Sequence, residues 1–377
     1  MEPLAIYIHW PYCARICPYC DFNVYKRRED NDLLPAILAD LKYWRDLSGP
    51  RQVSSIHFGG GTPSLMTPRQ VGEICKKIDD LWGLSGIEIA LEANPHEMNA
   101  EDWRGYRAAG LNRLSLGIQT FNDKALKFLG RDHDSETARA ALDLALDIFP
   151  SVSSDLIFGW AGQFEQDLAH DLNILLKSGV PHISTYQLTI EDGTAFAIAE
   201  TRGQSKAVNS DISADLYDRV RSTLIDSSFD HYEVSNFAKP GHRSKHNLAY
   251  WRGWDYVGVG PGAHGRITID NQRQATVAHM RPQAYADALQ QTGCGLESQE
   301  TLSPEDRAAE YLLMGLRIDE GISLEAFAQM SARHLNREEI YHLIDNGLLS
   351  LENNTLRATS EGRLVLNAIT ERLLWHA

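Results

Sequence analysis

Three cysteines within the first twenty residues constrain this chain more than any other feature. The stretch YIHWPYCARICPYCDF, Tyr7 to Phe22, sets Cys13, Cys17 and Cys20 in a CxxxCxxC spacing directly after a short apolar run. Three thiolates on one short loop ask for a metal. A structural zinc takes four protein ligands, whereas an iron–sulfur cube held by cysteine at three irons leaves its fourth iron open to a small molecule. The next cysteines, Cys75 and Cys294, are distant in sequence. The cluster is the stronger reading, and zinc stands as the alternative. Tyr7, Trp10, Tyr12, Tyr19 and Phe22 around the loop would exclude water from such a cluster. Five cysteines, an odd number with three grouped, fit a reducing compartment.

Beyond the loop, apolar runs and helical patterns alternate. Residues 4–9, 53–58, 86–92, 112–116, 152–158 and 182–188 read as strands. Helical periodicity fills the intervals, over 33–47, 68–82, 100–109 and 163–177 among others. Strands alternating with helices imply right-handed crossovers and a parallel sheet. Six such units make an incomplete barrel of the (β/α)6 type, an α/β fold whose chemistry belongs at the carboxyl ends of the strands.

Polar punctuation falls at those ends: the Cys loop, Gly59-Gly60-Gly61-Thr62, Glu92, Gln119, and Asp155 within the fifth strand. Taken singly, each also reads as a turn glycine or a capping group. Taken together they describe a site. A glycine run lets backbone groups approach a ligand closely. No Gly-Lys-Ser/Thr follows it, which excludes a P-loop. Glu92 and Asp155 are acceptors suited to a ribose diol or an ammonium, and Arg131 in LGRDH suits a carboxylate.

The motifs CxxxCxxC, GGGTPSL, EANP, NRLSLGIQTF, LGRDH, YEVSNFAKPG and HNLAYW, in this order, resemble the HemW-type heme chaperones. These form a radical S-adenosylmethionine (SAM) family related to the oxygen-independent coproporphyrinogen dehydrogenases. The resemblance implies a [4Fe–4S] cluster on Cys13, Cys17 and Cys20. It implies SAM contacts at Tyr7, Tyr19, Gly60, Gly61, Thr62, Glu92, Gln119, Arg131 and Asp155. For HNLAYW it implies heme ligation by His246 from a loop outside the barrel, with His264 in GVGPGAHGR as the weaker candidate. Two departures stand out. The dehydrogenases carry a further Cys two positions after the third ligand, where this chain has Phe22, and GWAGQ at 159–163 replaces a Pro-containing turn.

The remaining third divides into two parts. Residues 231–302 read as a connecting region carrying the HNxxYW loop, with polar sequence near 290–303 as a boundary. Residues 303–377 read as helices, a small hairpin and a closing helix, a winged-helix-like α+β module; residues 1–230 hold the barrel. Such modules often bind DNA, but a net charge of -15 repels phosphate backbones. No nucleic-acid partner is expected. The start of the chain lacks the basic and apolar regions of a signal peptide, and no apolar run is long enough to span a bilayer. A cytoplasmic protein without membrane insertion is expected, and the reading allows a homodimer. By resemblance its function is to bind the cluster, SAM and heme and to deliver heme to heme-requiring membrane proteins. The rival is a porphyrinogen oxidase of the coproporphyrinogen type.

Overall fold

The computed structural model describes residues 3–27, 32–97, 99–331 and 333–375. The six expected strands form where the apolar runs lie. They are β1 (Leu4–Trp10), β2 (Val53–Gly60), β3 (Glu88–Ala93), β4 (Arg113–Gln119), β5 (Ser151–Phe158) and β6 (His182–Gln187). Each pairs in parallel with the next. The crossovers carry α1 (Leu34–Ser48), α2 (Pro68–Trp82), α3 (Ala100–Ala108), α4 (Asp123–Phe128), α5 (Ser135–Ile148) and α6 (Glu165–Ser178). Local sequence sets these starts: Thr67 and Gln70 form a reciprocal capping box before α2, and Asn99, Asn122 and Asp134 cap α3, α4 and α5. Ile6, Ile8, Ile56, Phe58, Leu91, Leu114 and Val152 are buried in one core. Strands covered in this way bury apolar residues along most of their length, which is why runs such as LAIYIHW stand out in the sequence.

After α7 (Ala195–Glu200) and α8 (Ser210–Asp226) the sheet grows at both edges. Strands β7 (Asp230–Glu233) and β8 (Asn236–Ala238) form a hairpin antiparallel to β6. Helix α9 (Lys245–Trp251) then crosses to the opposite edge. There β9 (Tyr256–Val259) lies parallel to β1, so β1 is internal and the parallel run has seven strands. The antiparallel strands β10 (His264–Ile269), β11 (Gln272–Ala278) and, after α10 (Pro282–Thr292), β12 (Leu296–Thr301) complete one sheet of twelve strands. It stays open, with β12 at one edge and β7 at the other. The segment read as a connection therefore supplies half the strands of the sheet. HNLAYW is a capped helix instead of a loop, and the polar stretch near 290–303 contains edge strand β12.

The C-terminal module contains α11 (Pro304–Gly315), β13 (Ile322–Ser323), α12 (Leu324–Ser331), α13 (Arg337–Asp345), β14 (Leu349–Glu352), β15 (Thr355–Ala358), α14 (Ser360–Leu364) and α15 (Leu366–Trp375). Its three strands form a small antiparallel sheet, order β13-β15-β14, over a separate core that includes Leu312, Phe327, Ile340 and Leu356. This is the winged-helix-like shape. Among the described residues, no helix is long and apolar enough to cross a membrane.

Candidate functional site

The Cys loop is tied down at its root. Tyr12–Cys13 pairs in parallel with Tyr25–Lys26, Tyr25 N donates to Pro11 O at 2.7 Å, and Arg27 N donates to Cys13 O at 2.9 Å. From the neighbouring strand end, Gly61 N donates to Trp10 O at 2.7 Å and Thr62 N to Tyr12 O at 2.9 Å. A Cβ on Gly60 would lie 2.5 Å from the His9 ring, and one on Gly61 would lie 2.8 Å from Tyr12 O. Gly60 also has φ +104°, a conformation that L side chains rarely adopt. The glycine run is thus required by the packing of β2 on β1, whatever binds in front of it.

A cavity of about 370 Å³ opens over these strand ends. Of the residues singled out by sequence, Cys13, Cys17, Tyr19, Cys20, Gly60, Gly61, Thr62, Glu92, Gln119, Arg131 and Asp155 all line it. Asn94 and Ser115, which sequence reasoning did not single out, line it too. Both stand inside quoted motifs, EANP and NRLSLGIQTF: Asn94 directly follows β3, and Ser115 lies within β4 on the side that faces Asp155.

The polar groups are linked to one another. Arg131 donates to Cys17 Sγ at 3.4 Å, to Asn94 Oδ1 at 2.5 Å and to Gly117 O at 3.1 Å. Its Nε is buried with no hydrogen-bond partner among the described residues. Asn94 donates to Thr62 Oγ1 at 3.3 Å, and Ser115 Oγ donates to Asp155 at 3.1 Å. Burial pushes the Asp155 carboxyl up to about 6; Glu92 adds to this, while bonds from Ser184 and Ser115 oppose it. Burial likewise pushes the Cys13 thiol up to about 11 against the pull of the Thr62 hydroxyl, so a metal must displace its proton to bind. Gln119 has φ +66°, the left-handed region, where β4 breaks register with β5.

This donor set fits a cluster and SAM. Three soft sulfur donors line one cavity, and a cation with an unpartnered N–H stands beside Cys17. Among the described residues, no three His, Cys, Asp or Glu side chains are grouped to hold a single metal ion. A cube bound at separate corners does not ask for such a grouping.

Two expected residues lie elsewhere. Tyr7 lines a neighbouring cavity; its hydroxyl is 3.1 Å from His9 Nδ1 and its ring stacks on His57, which reaches Glu92 through Nε2 at 2.9 Å. His246 lines neither cavity. It is fully buried on α9, with Nδ1 2.9 Å from Ser55 Oγ and Nε2 2.7 Å from Tyr250 Oη. Its ring stacks on His57 at 4.9 Å, and burial holds it well below the ordinary histidine range. The expectation of an accessible ligand on a loop is thus corrected: both ring nitrogens are used inside the chain.

Known proteins share the sequence and the fold of this chain. The Radical SAM superfamily model matches residues 7–175 and the HemN C-terminal domain matches residues 302–365. The mitochondrial radical S-adenosyl methionine domain-containing protein 1 of Bos taurus is 35% identical over 98% of this chain and 87% of its own length. The heme chaperone HemW of Haemophilus influenzae is 34% identical over 99% of this chain and 98% of its own length. Among solved structures, the Escherichia coli coproporphyrinogen III oxidase HemN, described as a radical SAM enzyme, shares the fold with a TM-score of 0.81. It is 21% identical, over 98% of this chain and 90% of that one. The chain belongs to the HemW family of the radical SAM superfamily.

Proposed function

We propose that this protein is a heme chaperone of the cytoplasm that holds a [4Fe–4S] cluster on Cys13, Cys17 and Cys20, binds SAM beside it, and passes heme to heme-requiring membrane proteins. The observation that carries this reading is the end-to-end likeness to a protein named as a heme chaperone, in a chain whose cysteines and strand-end polar groups share one cavity.

Bound there, the cluster and SAM would supply one-electron chemistry. The chain's own contribution is binding and orientation. Arg131 sets a permanent positive charge beside Cys17, offsetting thiolate charge and keeping a donor for a carboxylate. Glu92 and Asp155 offer acceptors to a ribose diol or an ammonium, and Gln119 is held at the same rim by its backbone turn. Thr62 hydrogen-bonds near Cys13, and Tyr19 screens the loop from water.

The rival reading, a coproporphyrinogen oxidase, draws support from the shared fold and the HemN C-terminal domain. Phe22 argues against it. That side chain, 62% exposed, stands where the dehydrogenases keep a further cysteine. The deciding experiment is anaerobic reconstitution with iron and sulfide, followed by titration with SAM and hemin and by transfer of bound heme to an apo membrane hemoprotein. Binding of all three with transfer supports the chaperone. A holo protein that binds no hemin ends the reading.

A further inference from the structure

A second cavity, of about 800 Å³, lies beside the first, and the two share Asp21, Phe22, Gly60 and Glu92. Its walls come from both parts of the molecule: the end of α9, Tyr256 at the start of β9 and the start of β10 on one side, α11 and α12 on the other. Three kinds of group face it.

The first is a free imidazole. His264 begins β10 just beyond the end of a parallel strand, is exposed, and makes no side-chain hydrogen bond among the described residues. Nearby histidines are committed: His9 binds Tyr7 and Asn23, and His246 binds Ser55 and Tyr250. Partial desolvation at the cavity wall and the Arg266 charge lower His264 from the ordinary histidine range, which favours its neutral form.

The second is an uncompensated cation. Four arginines line the cavity. Arg252 and Arg266 pair with Glu320 and Glu310, and Arg273 shares the buried Asp255 with Arg51. Arg307 on α11 makes no ion pair or side-chain hydrogen bond among the described residues. The third is apolar surface that an empty protein would not expose without reason: Phe22 at 62%, Met280 at 52%, and the half-buried Met314 and Met330.

A ligand matching this set is flat and apolar in its body, carries carboxylates at an edge, and holds a metal that takes an axial nitrogen. We propose that this cavity is the heme site, with His264 as an axial ligand to the iron and Arg307 pairing with a propionate. The inference rests on the heme-binding part of the function proposed above. It makes the C-terminal module one wall of the heme site, with thioethers that adapt to a bulky ring.

The test is hemin titration of reconstituted holo protein, wild type against His264→Ala, Arg307→Gln and His246→Ala. It is followed by absorption spectra, with cluster iron and thermal melting measured in parallel. His264→Ala is expected to change the spectrum of bound heme and to weaken binding by about tenfold or more, and Arg307→Gln to weaken it by about tenfold with the wild-type spectrum kept. Cluster iron and melting should not change in either, because both side chains lie outside the Cys loop and the core. Heme binding with an unchanged spectrum and affinity in His264→Ala overturns the site and leaves the chaperone reading standing. A spectral change confined to folded His246→Ala overturns it in favour of that histidine. Wild-type protein that binds no hemin overturns both.

Discussion

Gln119 occupies the left-handed region at φ +66°, a conformation that costs a residue with a side chain about 1 kcal/mol. If the strain is kept so that its amide faces the cavity, Gln119→Gly separates fold from function. Urea melts should show the variant at least as stable as wild type, by up to about 1 kcal/mol, while equilibrium dialysis shows weaker SAM binding. Asp155 gives a pH signature. Its folded value, about 6, lies above the ordinary 3.8, so between these values the folded chain holds a proton that the unfolded chain releases. Its contribution to stability is therefore greatest below that window and falls as pH rises through it. Ligand binding runs the other way: an ionised carboxylate accepts ribose hydroxyls, so SAM affinity should drop as pH falls through about 6. Asp155→Asn should flatten that profile; an unchanged profile would remove the residue from the site. At the cysteines, replacing Cys13, Cys17 or Cys20 by Ala should abolish cluster iron, since a cube held by three thiolates has none to spare. Cys294→Ala should not, and Cys75→Ala, in the core of α2, should cost about 1 kcal/mol of stability with full iron content.

Among the elements, the C-terminal module explains its acidic sequence by its docking. Glu310, Asp319 and Glu320 on the module pair with Arg266, Arg243 and Arg252 at 2.7, 2.8 and 2.6 Å. One pair runs in reverse, with Arg317 of the module reaching Glu233 at 2.6 Å. The three outer pairs are partly exposed and each contributes little. Glu233 is fully buried and also accepts from Ser235 N and Asn236 Nδ2, at 2.9 and 2.6 Å. Removing its partner strands a buried charge, so Arg317→Met should lower stability by about 2 kcal/mol in urea melts. A cost near zero would mean that the module is held by its apolar contacts alone. The same region shows where the sequence became hard to read. QRQATVA forms β11 without an apolar alternation because much of what it buries is polar, Arg273, Gln274 and Thr276, and LESQET forms β12 as a largely exposed edge strand. YVGV is too short and too rich in neighbouring glycines to announce β9. HNLAYW hid a seven-residue helix, α9, between glycines at 241 and 253.

For the molecule as a whole, the six central strands were legible because burial on both faces favours apolar-rich runs, of which LAIYIHW is the clearest. The polar residues that punctuate those runs were legible as a set, and they meet in one cavity. His246 could not be placed in the same way: nothing local distinguishes a histidine bonded to Ser55, 191 residues away, from one that faces a ligand. Its burial is a property of the tertiary structure. At this scale the function is tested by what the protein leaves untouched. With reduced cluster, SAM and coproporphyrinogen, no protoporphyrinogen should accumulate, as read by chromatography of the oxidised porphyrins; sustained turnover would move the protein to the rival reading.

The internal position of β1 has a consequence for synthesis. Its partner on one side, β2, leaves the ribosome soon after it, but its partner on the other side, β9, begins at Tyr256. At 5–20 residues per second, the edge that carries Ala5 to Ile8 waits on the order of ten to fifty seconds for its cover. During that interval the nascent chain presents an apolar strand edge next to three unprotected thiols. A ribosome-bound chain ending before β9 should therefore be a target for holding chaperones, and metal loading that succeeds only after release would fit a site whose supporting strand is made long before its last neighbour.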